Sequence, residues 1–140
     1  MINSIIQAIS ISLDAEFGEE YEIHMEEIKQ DLKEPCFFIF CINPTHKMFL
    51  GKRYFRKNQF CIQYFPSTDK KKEECNAIAD RLYLGLEWIT VTGDLVRGAG
   101  MKYEVADGVL NFFVNYDLFV YKVDDPIPME DISSNISVKG

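Results

Sequence analysis

The stretch Met101-Lys102-Tyr103-Glu104-Val105-Ala106-Asp107-Gly108-Val109-Leu110-Asn111-Phe112-Phe113-Val114-Asn115 decides the fold. Asp-Gly between two alternating runs is what a two-residue primed hairpin turn demands, because both central residues take positive φ. The turn predicts a register that pairs Val105 with Leu110, Tyr103 with Phe112 and Met101 with Val114. All six are apolar and share one face. A slip by one residue would set that face against polar positions.

Toward the C-terminus the second strand overshoots. Asn115-Tyr116-Asp117-Leu118-Phe119-Val120-Tyr121 runs past the point where its partner begins, near Gly100. It can pair further back only if Gly98-Ala99-Gly100 forms a bend or bulge. Otherwise its far end needs another strand, from this chain or from another subunit. Phe113, Phe119 and Tyr121 fall opposite the expected core, and an apolar second face needs cover. From residue 124 the chain is polar, with two prolines and no period. It divides into a domain over 1–123 and a C-terminal tail over 124–140.

Toward the N-terminus, Trp88-Ile89-Thr90-Val91 reads as a short extended piece, with a turn at Thr92-Gly93-Asp94. Cys75, Ile78, Ala79, Leu82 and Leu86 mark one face of a helix. Pro66-Ser67-Thr68-Asp69 supplies its N-cap candidates and ends a strand over 52–65. In that strand Phe60, Ile62 and Tyr64 share one face, and Cys61, Gln63 and Phe65 the other. Cys36-Phe37-Phe38-Ile39-Phe40-Cys41-Ile42 is apolar on both faces, as a doubly buried or interface strand is. Asn43-Pro44 is expected to close it, leaving His46 in a loop. Residues 30–35 read as a turn. Tyr21, Ile23 and Met25 alternate with Glu22, His24 and Glu26, a half-buried strand. Ile2, Ile5, Ile6, Ile9, Leu13 and Phe17 form one helical face, with Gly18 as the stop. The order predicts an α+β domain. Its sheet is mixed or mostly antiparallel, with a C-terminal hairpin and two main helices on one face.

The chain has 140 residues, 47% hydrophobic and 14% aromatic, so most of it is not intrinsically disordered. It lacks a run of about 18 apolar residues, which excludes a transmembrane helix. Its first residues lack the basic flank and cleavage site of a signal peptide, so expression inside a cell is expected. A net charge of −7 argues against general affinity for nucleic acid. The charge is uneven. Lys47, Lys52, Arg53, Arg56 and Lys57 cluster, as do Lys70, Lys71 and Lys72, while acids dominate over 19–27 and 124–131. Opposite patches suit head-to-tail self-association, with a mixed solvated surface as the plainer alternative.

Recognisable chemistry is thin. The four cysteines are expected to be free thiols. Cys36 and Cys41, an odd offset apart in a strand, point to opposite faces and cannot share a metal. Neither His24 nor His46 has metal-site or nucleophile-partner spacing. There is no Walker loop, and Gly98-Ala99-Gly100 beside Arg97 fits a bulge better than an anion nest. The adjacent acids Glu26-Glu27 and Glu73-Glu74 point apart and read as solvated. Tyr54, Phe55 and Phe60 among the basic residues admit a nucleic-acid surface, against a charged strand face meeting an acidic neighbour. These readings give no enzyme, no cofactor, no metal, no membrane and no specific nucleic acid.

Several stretches together resemble the tail terminator family of contractile-tailed phages, defective prophages and phage-tail-like bacteriocins of Gram-positive bacteria. They are Leu32-Lys33-Glu34-Pro35-Cys36-Phe37-Phe38-Ile39, Phe49-Leu50-Gly51-Lys52-Arg53-Tyr54 and Tyr64-Phe65-Pro66. Further along come Glu74-Cys75-Asn76, Ala79-Asp80-Arg81-Leu82-Tyr83, Gly93-Asp94-Leu95-Val96-Arg97-Gly98 and the hairpin itself. The resemblance extends to about Lys122. It implies a structural protein that forms a ring, usually a hexamer, on the head-proximal end of a tail tube. Such a ring ends tube growth, anchors the last sheath ring and offers a docking surface to a neck or connector protein. It implies a place at the collar end of a virion or phage-like particle, assembled in the bacterial cytoplasm, without enzyme activity or cofactor. A neck or head-completion component of the same particle is the alternative, followed by a small enzyme or a nucleic-acid module. Candidate contacts for subunits or partners are Lys52, Arg53, Arg56 and Lys57 for charge. Phe38, Phe40, Phe113, Phe119 and Tyr121 are the candidates for apolar burial.

Overall fold

The computed structural model describes residues 2–26, 33–51 and 53–121, with backbone alone for 43–50, 53 and 119–121. Residues 30–32 of the expected 30–35 turn, Lys52 and the 124–140 tail lie outside the described residues. Two compact units emerge, Met1–Thr45 with Lys57–Leu118, and His46–Arg56 with Phe119–Gly140.

In the first unit, helix α1 (Ile2–Phe17) buries Ile5, Ala8, Ile9, Leu13 and Phe17, the predicted stripe. Gly18 ends it at φ +84, its N–H donating to the Asp14 carbonyl at 2.9 Å. That is the left-handed terminus glycine tolerates best. Strand β1 (Glu22–His24) pairs parallel with the start of β2 (Cys36–Leu50), Glu22 opposite Cys36 and His24 opposite Phe38. Strand β3 (Arg53–Phe65) follows, then helix α2 (Lys71–Gly85), which buries Cys75, Ile78, Ala79 and Leu82. The main sheet has the order β1-β2-β3-β7-β6, with β8 also on β3. Strand β1 runs parallel to β2, whereas β7 runs antiparallel to both β3 and β6.

Strands β6 (Ala99–Ala106) and β7 (Val109–Asn115) form the expected hairpin, with Asp107 at φ +53 and Gly108 at φ +75. Val105 faces Leu110 and Tyr103 faces Phe112, as predicted. The predicted pairing of Met101 with Val114 does not form. Lys102 lies opposite Phe113 and Ala99 opposite Asn115, three steps on one strand against two on the other. The extra residue is the bulge anticipated at the glycines. Gly100 sits at φ +59, and a methyl there would lie 2.7 Å from the Asn115 side-chain nitrogen.

The overshoot is interrupted. Strand β7 stops at Asn115, and Tyr116 turns into the core, fully buried, its hydroxyl donating to the Leu86 carbonyl at 2.5 Å. Asn58 of β3 holds this kink. Its side-chain nitrogen donates to the Tyr116 carbonyl at 3.1 Å, its backbone N–H donates to Asp117 Oδ1 at 3.1 Å, and its carbonyl accepts from Tyr116 N at 2.9 Å. Strand β8 (Leu118–Tyr121) then pairs with β3, so the far end finds its partner within the chain rather than in another subunit.

Three further expectations are corrected. Strand β2 runs through Asn43-Pro44 to Leu50, which puts His46 in a strand. A proline whose nitrogen faces an unpaired edge removes no ladder bond, and β1 pairs only with residues 36–38 of β2. The N-cap of α2 is Lys70, without a side-chain cap, rather than one of residues 66–69. The turn at Thr92-Gly93 (φ +46 and +91) joins β4 (Trp88–Val91) to an unpredicted strand, β5 (Asp94–Arg97), as a separate two-stranded ribbon.

The core fills the space between the helices, the ribbon and one sheet face. Phe37 and Ile39 of β2, Phe60, Ile62 and Tyr64 of β3, and Leu110, Phe112 and Val114 of β7 meet both helices. Ile89, Val91 and Val96 of the ribbon belong to the same core. Each fully buried side chain of this size contributes roughly 1.5–3 kcal/mol by area alone. Phe17, Tyr21, Phe37 and Tyr64 pack as a cluster of mutually tilted rings with centroids 4.9–6.1 Å apart. Arg81 ties α2 to α1. Its guanidinium lies 4.3 Å over the Phe17 ring and donates to the Glu16 carbonyl at 2.6 Å and to Glu16 Oε2 at 3.2 Å.

In the second unit, the described residues are the ends of β2 and β3, with Gly51 at φ +54 between them, and β8 beside β3.

Candidate assembly surfaces

Strand alternation dictates what the other sheet face presents. With Phe37 and Ile39 turned to the helices, Cys36, Phe38 and Phe40 turn away. With Phe60, Ile62 and Tyr64 inward, Gln59, Cys61, Gln63 and Phe65 face out, as do Asn111, Phe113 and Asn115 of β7. The register confirms the grouping: Cys61 opposes Phe113, Gln63 opposes Asn111, and Gln59 opposes Asn115. His24, Phe38 and Phe65 make an aromatic row, with centroids 5.0 and 5.6 Å apart. Asn111 Oδ1 accepts from Gln63 Nε2 at 2.9 Å, and Lys102 Nζ sits 5.7 Å from the Phe113 centroid.

Of the predicted apolar contacts, Phe38 is buried, Phe113 is half-buried and Phe40 is 38% exposed. All three lie on this outer face. The backbone of Phe119 and Tyr121 lies in β8, and their side chains are outside the description. The predicted basic patch is less coherent. Lys57 is exposed and Arg56 half-buried, with its Nε lacking a hydrogen-bond partner among the described residues. As consecutive strand residues they point to opposite sides. Arg53 lies in β3, and Lys52 is outside the described residues.

Sequence reasoning missed a second apolar surface. On the ribbon, Trp88 pairs with Arg97 and Thr90 with Leu95, all on the side away from buried Ile89 and Val96. Trp88 is 51% exposed and Leu95 68% exposed, and the Arg97 guanidinium lies 5.8 Å over the indole. Ile11 on α1 and Leu84 on α2 are exposed as well. Leu95 between Asp94 and Val96 gave no signal until β5 was known to be a strand.

A cleft of about 710 Å³ opens beside α2 and is lined by Tyr21, Tyr64, Thr68, Lys70, Glu74 and Arg81, among others. Its Tyr64, Thr68, Glu74 and Arg81 side chains are already engaged. Glu74, expected to be solvated, accepts from the Tyr64 hydroxyl at 2.5 Å, Ser67 N at 3.0 Å, Thr68 N at 3.0 Å and Thr68 Oγ1 at 2.6 Å. Burial works against charge on Glu74, but these bonds outweigh it and hold the carboxyl below its ordinary range. Burial, then the bond to Glu74, pushes the Tyr64 phenol far up. Arg81 is taken by Glu16. This arrangement latches the end of β3 to α2 and leaves the cleft's Glu74, Tyr64 and Arg81 committed to internal bonds.

The thiols follow the same logic. Burial, then the charges of Glu22 and Glu34, raise Cys36 to about 11. Burial, then Glu104, raises Cys61 to about 11. Both stay protonated at neutral pH. Among the described residues, no three His, Cys, Asp or Glu side chains gather as metal ligands. No described helix is long and apolar enough to cross a membrane.

Comparisons with known proteins give a family and a fold. A family described as phage tail terminator protein matches residues 4–128. Among solved structures, the chain resembles the sheath/tube terminator of an extracellular contractile injection system, determined in its extended state. The TM-score is 0.52 at 13% sequence identity, over 97% of this chain and 63% of that one. At that identity the likeness concerns fold, and the chain spans under two-thirds of the neighbour's length. No curated protein matches the sequence.

Proposed function

The chain belongs to the phage tail terminator family, and from that premise we propose that its copies close into a ring, a hexamer, on the head-proximal end of a tail tube. The ring ends tube growth, holds the last sheath ring and presents its far side to a neck or connector protein. The solved neighbour in fold is itself a terminator of sheath and tube. The protein works as a part of the particle at its collar end, put together in the bacterial cytoplasm, and acts through contact rather than catalysis.

One observation carries this reading. Both helices pack against the inner side of the main sheet, and among the described residues no helix lies over the outer side, where Cys36, Phe38 and Cys61 are buried but Phe65 and Phe113 are half-buried and Phe40 is exposed. A ring seated on a tube supplies such cover, from the next copy or from the tube, sheath and neck proteins that meet it. The ribbon side, with Trp88 and Leu95, offers the second patch. Tryptophan and arginine together are what interface centres favour.

Deleting the gene and imaging the particles by negative stain tests the assignment. Over-long or ragged tubes are expected. Tails of normal length that lack heads would instead make the protein a neck or head-completion component. Particles indistinguishable from wild type would remove it from the tail altogether.

A further inference from the structure

Among the described residues, the main sheet ends in open backbone on both sides. At one end β6 pairs only with β7, so the outward N–H and C=O groups of Ala99–Ala106 have no strand against them among the described residues. At the other end β1 pairs only with β2, and only over Glu22–His24. An eight-residue open edge is a template for another strand unless something blocks it. The bulge at Gly100 disturbs one end of β6, while the stretch from Lys102 to Ala106 is in regular register.

The two ends also differ in charge. Beside β1 stand Glu19, Glu20 and Glu26, all exposed, with Glu22 in the strand itself. None of the three exposed acids is in an ion pair among the described residues. Beside β6 stand Lys70, Lys71 and Lys72, also exposed and also outside any described ion pair. They share a shallow depression with Val105 and Gly108. Lys71 lies across the hairpin turn, where a methyl on Gly108 would come within 2.9 Å of its Cδ. Tyr103 of β6 donates to Asn76 Oδ1 of α2 at 3.1 Å, fixing the lysine-bearing helix to this edge. Asp69 and Glu73 flank the lysines, so the positive character belongs to this short run and not to the whole end.

We infer that the β6 edge of one copy receives the β1 edge of the next, so that the sheet continues from subunit to subunit. Lys70, Lys71 and Lys72 then face Glu19, Glu20 and Glu26 of the adjoining copy. This rests on the ring reading and specifies its contact. Main-chain pairing supplies the join, and the opposed charges fix which edge meets which. Two unlike edges on one chain give the head-to-tail geometry that a closed ring requires.

Charge reversal on the full-length chain tests it. One variant carries Lys70→Glu, Lys71→Glu and Lys72→Glu, and the other Glu19→Lys, Glu20→Lys and Glu26→Lys. Sedimentation at low salt is expected to show wild-type oligomers that weaken as salt rises, and each variant alone as a monomer. An equimolar mixture of the two is expected to recover oligomers, because both kinds of contact between unlike variants are again complementary. Recovery in the mixture also demonstrates that each variant is folded. Hydrogen exchange of the 99–106 amides is expected to slow in the wild-type oligomer relative to the monomer. A variant that associates alone as wild type does, a mixture that stays monomeric, or β6 amides that exchange equally fast in both states would each overturn the contact. So would a wild type that stays monomeric at every concentration. Oligomers that ignore the reversals leave the ring standing and remove only this join, whereas normal tube length without the protein removes the ring itself.

Discussion

The two faces of the main sheet are built from the same strands and differ in almost every respect. The inner face carries Phe37, Phe60, Ile62, Phe112 and Val114, each essentially sealed from solvent. The outer face alternates aromatics with amides: Phe38, Phe65 and Phe113 beside Gln59, Gln63, Asn111 and Asn115. Amides pair across strands yet still offer donors and acceptors to a neighbour. Such a face tolerates both water and a partner, whereas the inner face tolerates neither. The inner face is therefore sealed throughout, whereas the outer face buries Cys36, Phe38 and Cys61, leaves Phe40 exposed, and is the side proposed for association.

Substitutions can break that division. The largest expected effect is Phe112→Ala, which opens a cavity among α2, β3 and β7 and should cost about 3–5 kcal/mol, read as a shift in the urea midpoint. Tyr116→Phe removes the hydroxyl bond to the Leu86 carbonyl and leaves that acceptor buried; a loss of about 1–3 kcal/mol is expected in the same assay. Gly100→Ala forces a side chain into a positive-φ bulge against Asn115, and should cost on the order of 1–2 kcal/mol.

Glu74→Gln gives a pH-dependent difference. The carboxyl's folded pKa is depressed, so its stabilisation is complete above the ordinary carboxylate value and is lost as pH falls through the folded value. Melting temperatures of wild type and E74Q should therefore differ at neutral pH and converge in acid. A gap that stays constant would show that Glu74 does not act through its charge. The smallest effect on folding is expected from Phe40→Asp on the outer face, within about 0.5 kcal/mol of wild type. Particles carrying it should nonetheless have long or uneven tubes. If F40D instead unfolds the protein, the outer face belongs to the core and the division between faces fails.

What could be read beforehand followed the reach of local rules. Asp107-Gly108 fixed the hairpin and the pairs nearest the turn, because turn type and alternation act over a few residues. Met101 escaped, since glycines suggest a bulge but do not say on which side of it a residue resumes its register. Pro44 looked like a stop because no single strand reveals which of its edges will be unpaired. Strand β5, four residues with charge at both ends, had too short a pattern to rise above a turn. The Glu74 latch depends on α2 folding back on the end of β3, and no spacing rule links a carboxylate to a tyrosine ten residues earlier. The place of Phe38, Phe40 and Phe113 on the outer face was legible from alternation. Trp88 and Leu95 were not, because their shared side exists only once the ribbon does.

Gly98 joins that ribbon to the sheet. Its N–H donates to the Glu87 carbonyl at 2.7 Å. A methyl on it would collide with the Leu86 carbonyl at 2.8 Å and with Val114 Cγ2 at 2.9 Å. The chain thus crosses from β5 to β6 pressed against the end of α2 and the C-terminal end of β7, with no room there for a side chain. Any pull exerted on Trp88 or Leu95 is delivered straight to Leu86 and Val114.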